Sequence, residues 1–247
     1  MATFVLVPGA WLGGWAWGRV TPELCAAGHE VYAVTLTGLG ERVHLGTPET
    51  NLDTHIADVV NLIEAEELRD VVLVGHSYAG SVVEGVADRI GERIALVVYV
   101  DTAPLEDGES NLDFSPPEEQ EAMRRQVAEM GDGWRMPPPP FERMAGVPMM
   151  AGLSAEDRAL LARKATAQPF GTYTQPVRLA RPKEAGDYRR AVIACDGFRM
   201  LVGTGMPRLQ QFLAAPWERR DIETGHWPML SAPRELAGVL GELATES

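Results

Sequence analysis

The sequence predicts an α/β domain built on a doubly wound, mostly parallel sheet with one large inserted segment. Three observations point there. Short apolar runs alternate with helix-like segments over the first hundred residues, the pattern of βαβ units. Runs such as Ala95-Leu96-Val97-Val98-Tyr99-Val100 are apolar throughout, as strands covered by helices on both faces can be. The alternation stops after Asp101 and resumes near residue 189, so one core is interrupted by a segment too long to be a loop. A chain of 247 residues, 45% hydrophobic and 23% charged, is large enough to bury such a core.

Each element follows from local pattern. The apolar runs 3–7, 30–34, 70–74 and 94–100 read as strands. Residues 17–27, 53–65 and 78–90 read as the helices between them. The clearest is 53–65, where Leu52, Ile56, Val59, Val60 and Ile63 fall on one face. Residues 1–102 and 189–247 form the expected core, and 103–188 the expected cap over the active site. The cap holds a stiff Pro137–Pro140 run and acidic helical pieces around 117–130 and 154–166. It also holds Met123, Met130, Met136, Met144, Met149 and Met150, suited to lining an adaptable apolar pocket or filling an irregular small core. In the returning core, 191–195 reads as a strand ending at Asp196, 206–214 as helical, and 219–223 as a short strand. A last helix follows, with Ser231 as N-cap and Pro233 in its first turn.

Composition narrows the partners. A net charge of -13 argues against nucleic acid and against anionic membranes, because both repel an acidic chain. Cys25 and Cys195 lie in apolar contexts and read as small buried residues, and no Cys/His metal cluster is visible. Neither a basic leader with an apolar run nor a membrane span is expected, which points to the cytoplasm. The expected partner is a small molecule, and a homodimer stays open.

The chemistry centres on Ser77 in Gly75-His76-Ser77-Tyr78-Ala79-Gly80, directly after Val71-Val72-Leu73-Val74. A buried strand ending in a Gly-x-Ser-x-small turn and re-entering a helix is the nucleophile elbow of serine α/β-hydrolases. The turn is crowded, so positions two before and two after the serine must be small; Gly75 and Ala79 are. Ser77 also suits a plain helix N-cap. In this fold the order is Ser, acid, His, with the histidine on a loop after the last strand, where His226 stands. His29, His44, His55 and His76 fit that place poorly. Asp196 is the first candidate for the acid and Asp101 the alternative, each at the end of a predicted strand. The oxyanion hole requires backbone N–H groups. Tyr78 and Ala10, the latter in the Gly/Trp-rich loop 8–17, are the candidates. Trp11, Trp134 and Trp227 are candidate walls of the substrate site.

The string from Phe4 to Trp17, with Gly75–Gly80 and Gly225-His226-Trp227-Pro228-Met229-Leu230, resembles the plant methyl esterase and hydroxynitrile lyase family of α/β-hydrolases. That group includes the salicylate-binding methyl esterases, and many bacterial proteins look similar. The resemblance covers the core and is weaker over the cap. It implies the α/β-hydrolase fold, no metal or cofactor, and ester hydrolysis through Ser77, His226 and an aspartate. Pro8-Gly9 replaces the family's frequent His-Gly. Gly9 and Trp227 stand where the lyases carry a threonine and a lysine. The family's acid usually lies about twenty-eight residues before the histidine, which here is Phe198. The expected activity is hydrolysis of small to medium apolar esters, as methyl or aryl esters or lactones. A lyase or C–C bond-cleaving enzyme and a receptor-like ligand-binding protein are the alternatives.

Overall fold

The computed structural model describes residues 1–180, 187–203, 207–213 and 217–245. Six parallel strands form the main sheet: β1 Thr3–Val7, β2 Glu30–Ala33, β3 Val71–His76, β4 Ile94–Val100, β7 Arg189–Ala194 and β8 Glu218–Asp221. Their order is β2-β1-β3-β4-β7-β8, and each described pairing is parallel. Helices α1 Thr21–Ala26, α2 Leu52–Ala65, α3 Ala79–Ile90, α7 Asp196–Gly203 and α10 Pro233–Thr245 accompany it. The α/β-hydrolase fold expected from the sequence is therefore the one observed.

Apart from the register shift between Ile94 and Leu96, the strands alternate between two cores. Val5, Leu73, Val97, Tyr99 and Val192 pack with α2 and α3, whereas Phe4, Leu6, Val72, Val74, Val98 and Ile193 pack with Trp17, α1 and α10. Side chains on a strand point alternately to opposite faces, so only an apolar run fills both cores at once. Beneath the elbow, Glu84 of α3 accepts from the Tyr99 hydroxyl and pairs with Arg190 at 3.3 Å. This buried pair ties α3 to β4 and β7. Breaking one member would strand a charge in the core.

The helix boundaries have local causes. Asn51 caps α2 by accepting from the Thr54 N–H, and the Thr54 hydroxyl accepts from the Asn51 N–H in return. The expected 17–27 helix is split into a 3-10 turn, Gly14–Trp17, and the short α1. Cys25 is exposed, contrary to expectation, because α1 turns only Leu24 inward; Cys195 is buried. Ser231 does not cap the last helix: it ends α9 (Pro228–Ser231), and its hydroxyl meets the Trp227 carbonyl at 3.0 Å and the Thr224 hydroxyl at 2.6 Å. The expected 206–214 helix appears as α8 Pro207–Gln210 and a 3-10 turn, Gln211–Leu213, while Met206 and Ala214 lie outside the described residues.

Between β4 and β7 the chain leaves the sheet. The described part of this insertion carries α4 Pro117–Met130, α5 Ala155–Lys164, α6 Gly171–Thr174 and an antiparallel pair, β5 Arg135–Met136 with β6 Gln168–Pro169. Four of its methionines divide between filling a core and lining a cavity. Met136 and Met150 are buried, Met144 and Met149 line a cavity, and Met130 is exposed. Among the described residues, no helix is long and apolar enough to cross a membrane, and no group of three metal-ligating side chains occurs.

Two buried histidines make stability depend on pH. Burial lowers His55 to about 4 and His76 to about 3, from an ordinary value of 6.5. The unfolded chain then binds more protons than the folded one below pH 6.5. Stability is full above that value and falls as the pH drops towards 4 and then 3, by at most about 1.4 kcal/mol per pH unit for each histidine. Thermal melts between pH 7.5 and 5 should show this loss. His55→Gln should lower the melting temperature at pH 7.5 yet flatten its dependence on acid.

Candidate active site

Ser77 follows the last residue of β3 and adopts φ 51, a left-handed conformation that is costly for a residue with a Cβ. The Ser77 N–H stays in the ladder, donating to the Val100 carbonyl at 3.1 Å. A Cβ on Gly75 would stand 2.8 Å from both the Ala79 carbonyl and Val83, so the turn closes only over glycine. Helix α3 begins at Ala79 with Tyr78 as its first flanking residue, and no side chain caps it. Ser77 therefore does not serve as an N-cap. Its Oγ lies 2.8 Å from His226 Nε2.

His226 sits on the loop after β8. Its N–H donates to the Met149 carbonyl at 2.7 Å, and the Gly225 N–H donates to the Ala151 carbonyl at 3.0 Å. The buried ring of His76 donates from Nε2 to the His226 carbonyl at 2.6 Å. Both sides of the His226 backbone are thus fixed, one by the insertion and one by the residue preceding Ser77.

The acid beside this imidazole is Asp101. Its Oδ2 lies 2.5 Å from His226 Nδ1, and its Oδ1 accepts from the Cys195 N–H at 3.0 Å. A carboxylate facing Nδ1 assigns the ring proton there, leaving Nε2 to accept from the Ser77 hydroxyl. The expectation that Asp196 would face His226 is corrected. Asp196 is the first residue of α7, its N–H donates to the Thr224 carbonyl, and its carboxylate faces Arg199 at 3.8 Å. It lines a separate open depression with Arg199 and Arg219. No residue separates Cys195, after β7, from α7, so no loop carries the Asp196 carboxylate around to the imidazole. Asp101 needs no such loop, because β4 lies between β3 and β7, on the side from which His226 arrives.

A cavity of about 290 Å³ opens over Ser77 and His226. Ala10, Trp11 and Trp227 are among its lining residues. Trp134 is not: its indole lies under the Arg135 guanidinium at 5.0 Å. The remaining wall comes from Pro139, Met144, Met149 and Tyr173, all from the insertion. Sequence reasoning singles out the methionines but misses Tyr173, which carries no local signal; it becomes visible only through its stack on Tyr78, with ring centroids 5.3 Å apart and planes 11° apart. Among the described residues, no hydrogen bond engages the N–H of Ala10 or of Tyr78. Gly9 packs against the elbow so closely that a Cβ would stand 2.6 Å from His76 Nδ1. His55, a poor fit for the base, is buried behind the site. Its Nε2–H donates to the Thr37 carbonyl at 2.8 Å, and its Nδ1 accepts from the Tyr78 hydroxyl at 2.8 Å.

Known proteins resemble this chain in sequence and fold. Residues 4–239 match the alpha/beta hydrolase family. The chain is 37% identical, over 98% of its length and all of the relative's, to the carbendazim hydrolyzing esterase of Nocardioides sp. (strain SG-4G). It is 27% identical to putative methylesterase 14, chloroplastic, of Arabidopsis thaliana, over 98% of this chain and 71% of that one. Among solved structures, an extracellular alpha/beta-hydrolase from a Paenibacillus species superposes with a TM-score of 0.83 over the whole of both chains, at 20% identity.

The two aspartates separate cleanly in an experiment. Asp101→Asn should slow any turnover that depends on Ser77 by about 10⁴-fold, because the amide favours the wrong imidazole tautomer. Asp196→Asn should change it less than about threefold, as expected of a surface substitution. The rate at which a fluorophosphonate labels Ser77 reads both variants.

Proposed function

Since this chain belongs to the alpha/beta hydrolase family, we propose that it is a serine esterase acting on small to medium apolar carboxylic esters. The observation that carries this reading is the continuous hydrogen-bonded line Asp101–His226–Ser77 at the floor of a largely apolar cavity. The relatives named esterase and methylesterase support it.

The steps follow from the geometry. His226 Nε2 takes the Ser77 proton as Oγ attacks the ester carbonyl. Asp101 holds the ring in the tautomer that can do this and stabilises the imidazolium that results. The free N–H groups of Ala10 and Tyr78 receive the developing oxyanion. The imidazolium then protonates the departing alkoxide. Water, deprotonated by His226, hydrolyses the acyl-enzyme and releases the acid.

Substrate class follows from the walls. Among the described lining residues there is no lysine or arginine, while Trp11, Met144, Met149 and Trp227 present apolar surface. Methyl or aryl esters and lactones suit such a site. Carbendazim, for which the 37% identical relative is named, marks methyl carbamates as a neighbouring class. The insertion serves as the cap. A cyanohydrin lyase is disfavoured, because a side chain at Gly9 would collide with His76 and Trp227 supplies no ammonium group.

Ser77→Ala should lower kcat on p-nitrophenyl butyrate by about 10⁶-fold. A fluorophosphonate should add one label, on Ser77. Each CH₂ added to the acyl chain should raise kcat/KM about fourfold until the cavity fills, the equivalent of about 0.8 kcal/mol per buried CH₂. Retention of more than a few per cent of activity in Ser77→Ala, or a preference for dianionic esters, would sink this reading. Release of methanol from carbendazim tests the carbamate extension separately.

A further inference from the structure

We propose that Gln168 is a positioning residue for the oxyanion hole, and that the short stretch 168–174 of the insertion holds both of its walls. The inference rests on the esterase reading, in which the Ala10 and Tyr78 N–H groups are the oxyanion donors.

One wall is the loop after β1. Trp11 adopts φ 65, a conformation that persists in a large L-residue only when its surroundings enforce it. Three bonds enforce it, and all come from the insertion. The Trp11 N–H donates to Gln168 Oε1 at 2.9 Å, the Trp11 carbonyl accepts from the Thr166 N–H at 3.0 Å, and the indole N–H donates to the Met136 carbonyl at 3.2 Å. The Trp11 N–H belongs to the peptide plane immediately after Ala10. With Gly9 wedged against His76 on the other side, pinning that plane fixes where the Ala10 N–H points.

Gln168 is fully buried, and its amide is oriented by its partners. Its Oε1 must face the Trp11 N–H, and its Nε2 donates to Thr172 Oγ1 at 2.9 Å. The Thr172 hydroxyl in turn donates to the Pro169 carbonyl at 2.6 Å. Every polar atom in this relay has a defined direction, so the acceptor offered to Trp11 cannot rotate away.

The other wall is Tyr78. Its ring stacks on Tyr173, the residue after Thr172, and its hydroxyl donates to His55 Nδ1. His55 is itself anchored to the Thr37 carbonyl, and the Thr37 N–H and hydroxyl donate to Asp58. The insertion thus grips the first donor through Gln168 and presses on the second through Tyr173. Gln168 is not among the residues lining the cavity, and its side-chain hydrogen bonds go to Trp11 and Thr172, not to Ser77 or His226. Its effect on the reaction therefore passes through the backbone it holds.

The test is Gln168→Met, which keeps chain length but removes the acceptor. The variant's kcat on p-nitrophenyl butyrate should fall about 10- to 100-fold with KM within about twofold, because the oxyanion forms only on the way to the transition state. An aryl trifluoromethyl ketone, whose Ser77 adduct places an oxyanion in the hole, should bind weaker by the factor that kcat/KM loses. Acetophenone, which makes no such adduct, should compete as it does with the wild type. A folded Gln168→Met whose kcat stays within twofold of wild type overturns the proposal. So does a loss of kcat without the matching loss of ketone affinity, which marks a merely structural role. Thr172→Val removes the anchor of the Gln168 amide together with the bond to the Pro169 carbonyl, and should show the same paired losses at smaller size. It decides the question if Gln168→Met does not fold, and unpaired losses there overturn the proposal equally. Ser77→Ala run alongside separates the two levels. Residual turnover in Ser77→Ala overturns the esterase reading itself, whereas an inactive Ser77→Ala with an unaffected Gln168→Met overturns the positioning role alone.

Discussion

Both oxygens of the Asp101 carboxylate are committed, one to the Cys195 N–H at the end of β7 and one to His226 Nδ1. This double commitment depends on a property of the sheet. His76 pairs with Val100, so the residues that follow, Ser77 and Asp101, leave neighbouring parallel strands at the same level. Each leaves in a left-handed conformation, at φ 51 and φ 49. Each keeps its N–H in the ladder, to Val100 and to Ile193. Two adjacent strands thus lift a hydroxyl and a carboxylate over the same edge. The strain of both turns is offset by the two cores that grip the strands from either face.

The histidine between them is not held by the sheet. Its loop hangs on the insertion through the Met149 and Ala151 carbonyls, and on the elbow through His76. The loop after β1 is held by the same insertion, through Gln168, Thr166 and Met136. The insertion, which supplies Pro139, Met144, Met149 and Tyr173 to the cavity lining, therefore also clamps two loops of its floor. The small antiparallel pair β5–β6 and the capped helix α5, where Ser154 accepts from the Asp157 N–H, make the insertion a structure rather than a loop.

Burial keeps the supporting histidines neutral. A charged ring at position 55 or 76 would carry an uncompensated proton into a dry interior, and desolvation opposes that. Neutral His55 can accept from Tyr78 at Nδ1 while donating at Nε2, and neutral His76 can donate to the His226 carbonyl. The same desolvation that costs acid stability keeps both rings neutral, and their hydrogen-bond partners then set the tautomers on which the loops depend.

The strands, the main helices and the elbow are legible along the chain, because they rest on short-range patterns. Unbroken apolar runs mark strands buried on both faces, and Gly75 and Ala79 mark a turn that only small residues close. The sequence singled out Ser77, and it singled out His226 by its place after the last strand. The tertiary structure decided which aspartate meets the imidazole. Asp101 and Asp196 look alike along the chain, each following an apolar strand. They differ in whether helix α7 begins at once and in which strand stands beside β3, and neither is written locally. The cavity wall at Tyr173 and the supports behind the site, Gln168 and His55, were hidden for the same reason. Tyr173, Gln168 and His55 act through partners 95, 157 and 23 residues away, at Tyr78, Trp11 and Tyr78 again. The first two distances close only when the insertion folds back over the sheet, and the third when α2 packs against α3, since a hydrogen bond or a stacked ring depends on separation in space and leaves no period in the sequence.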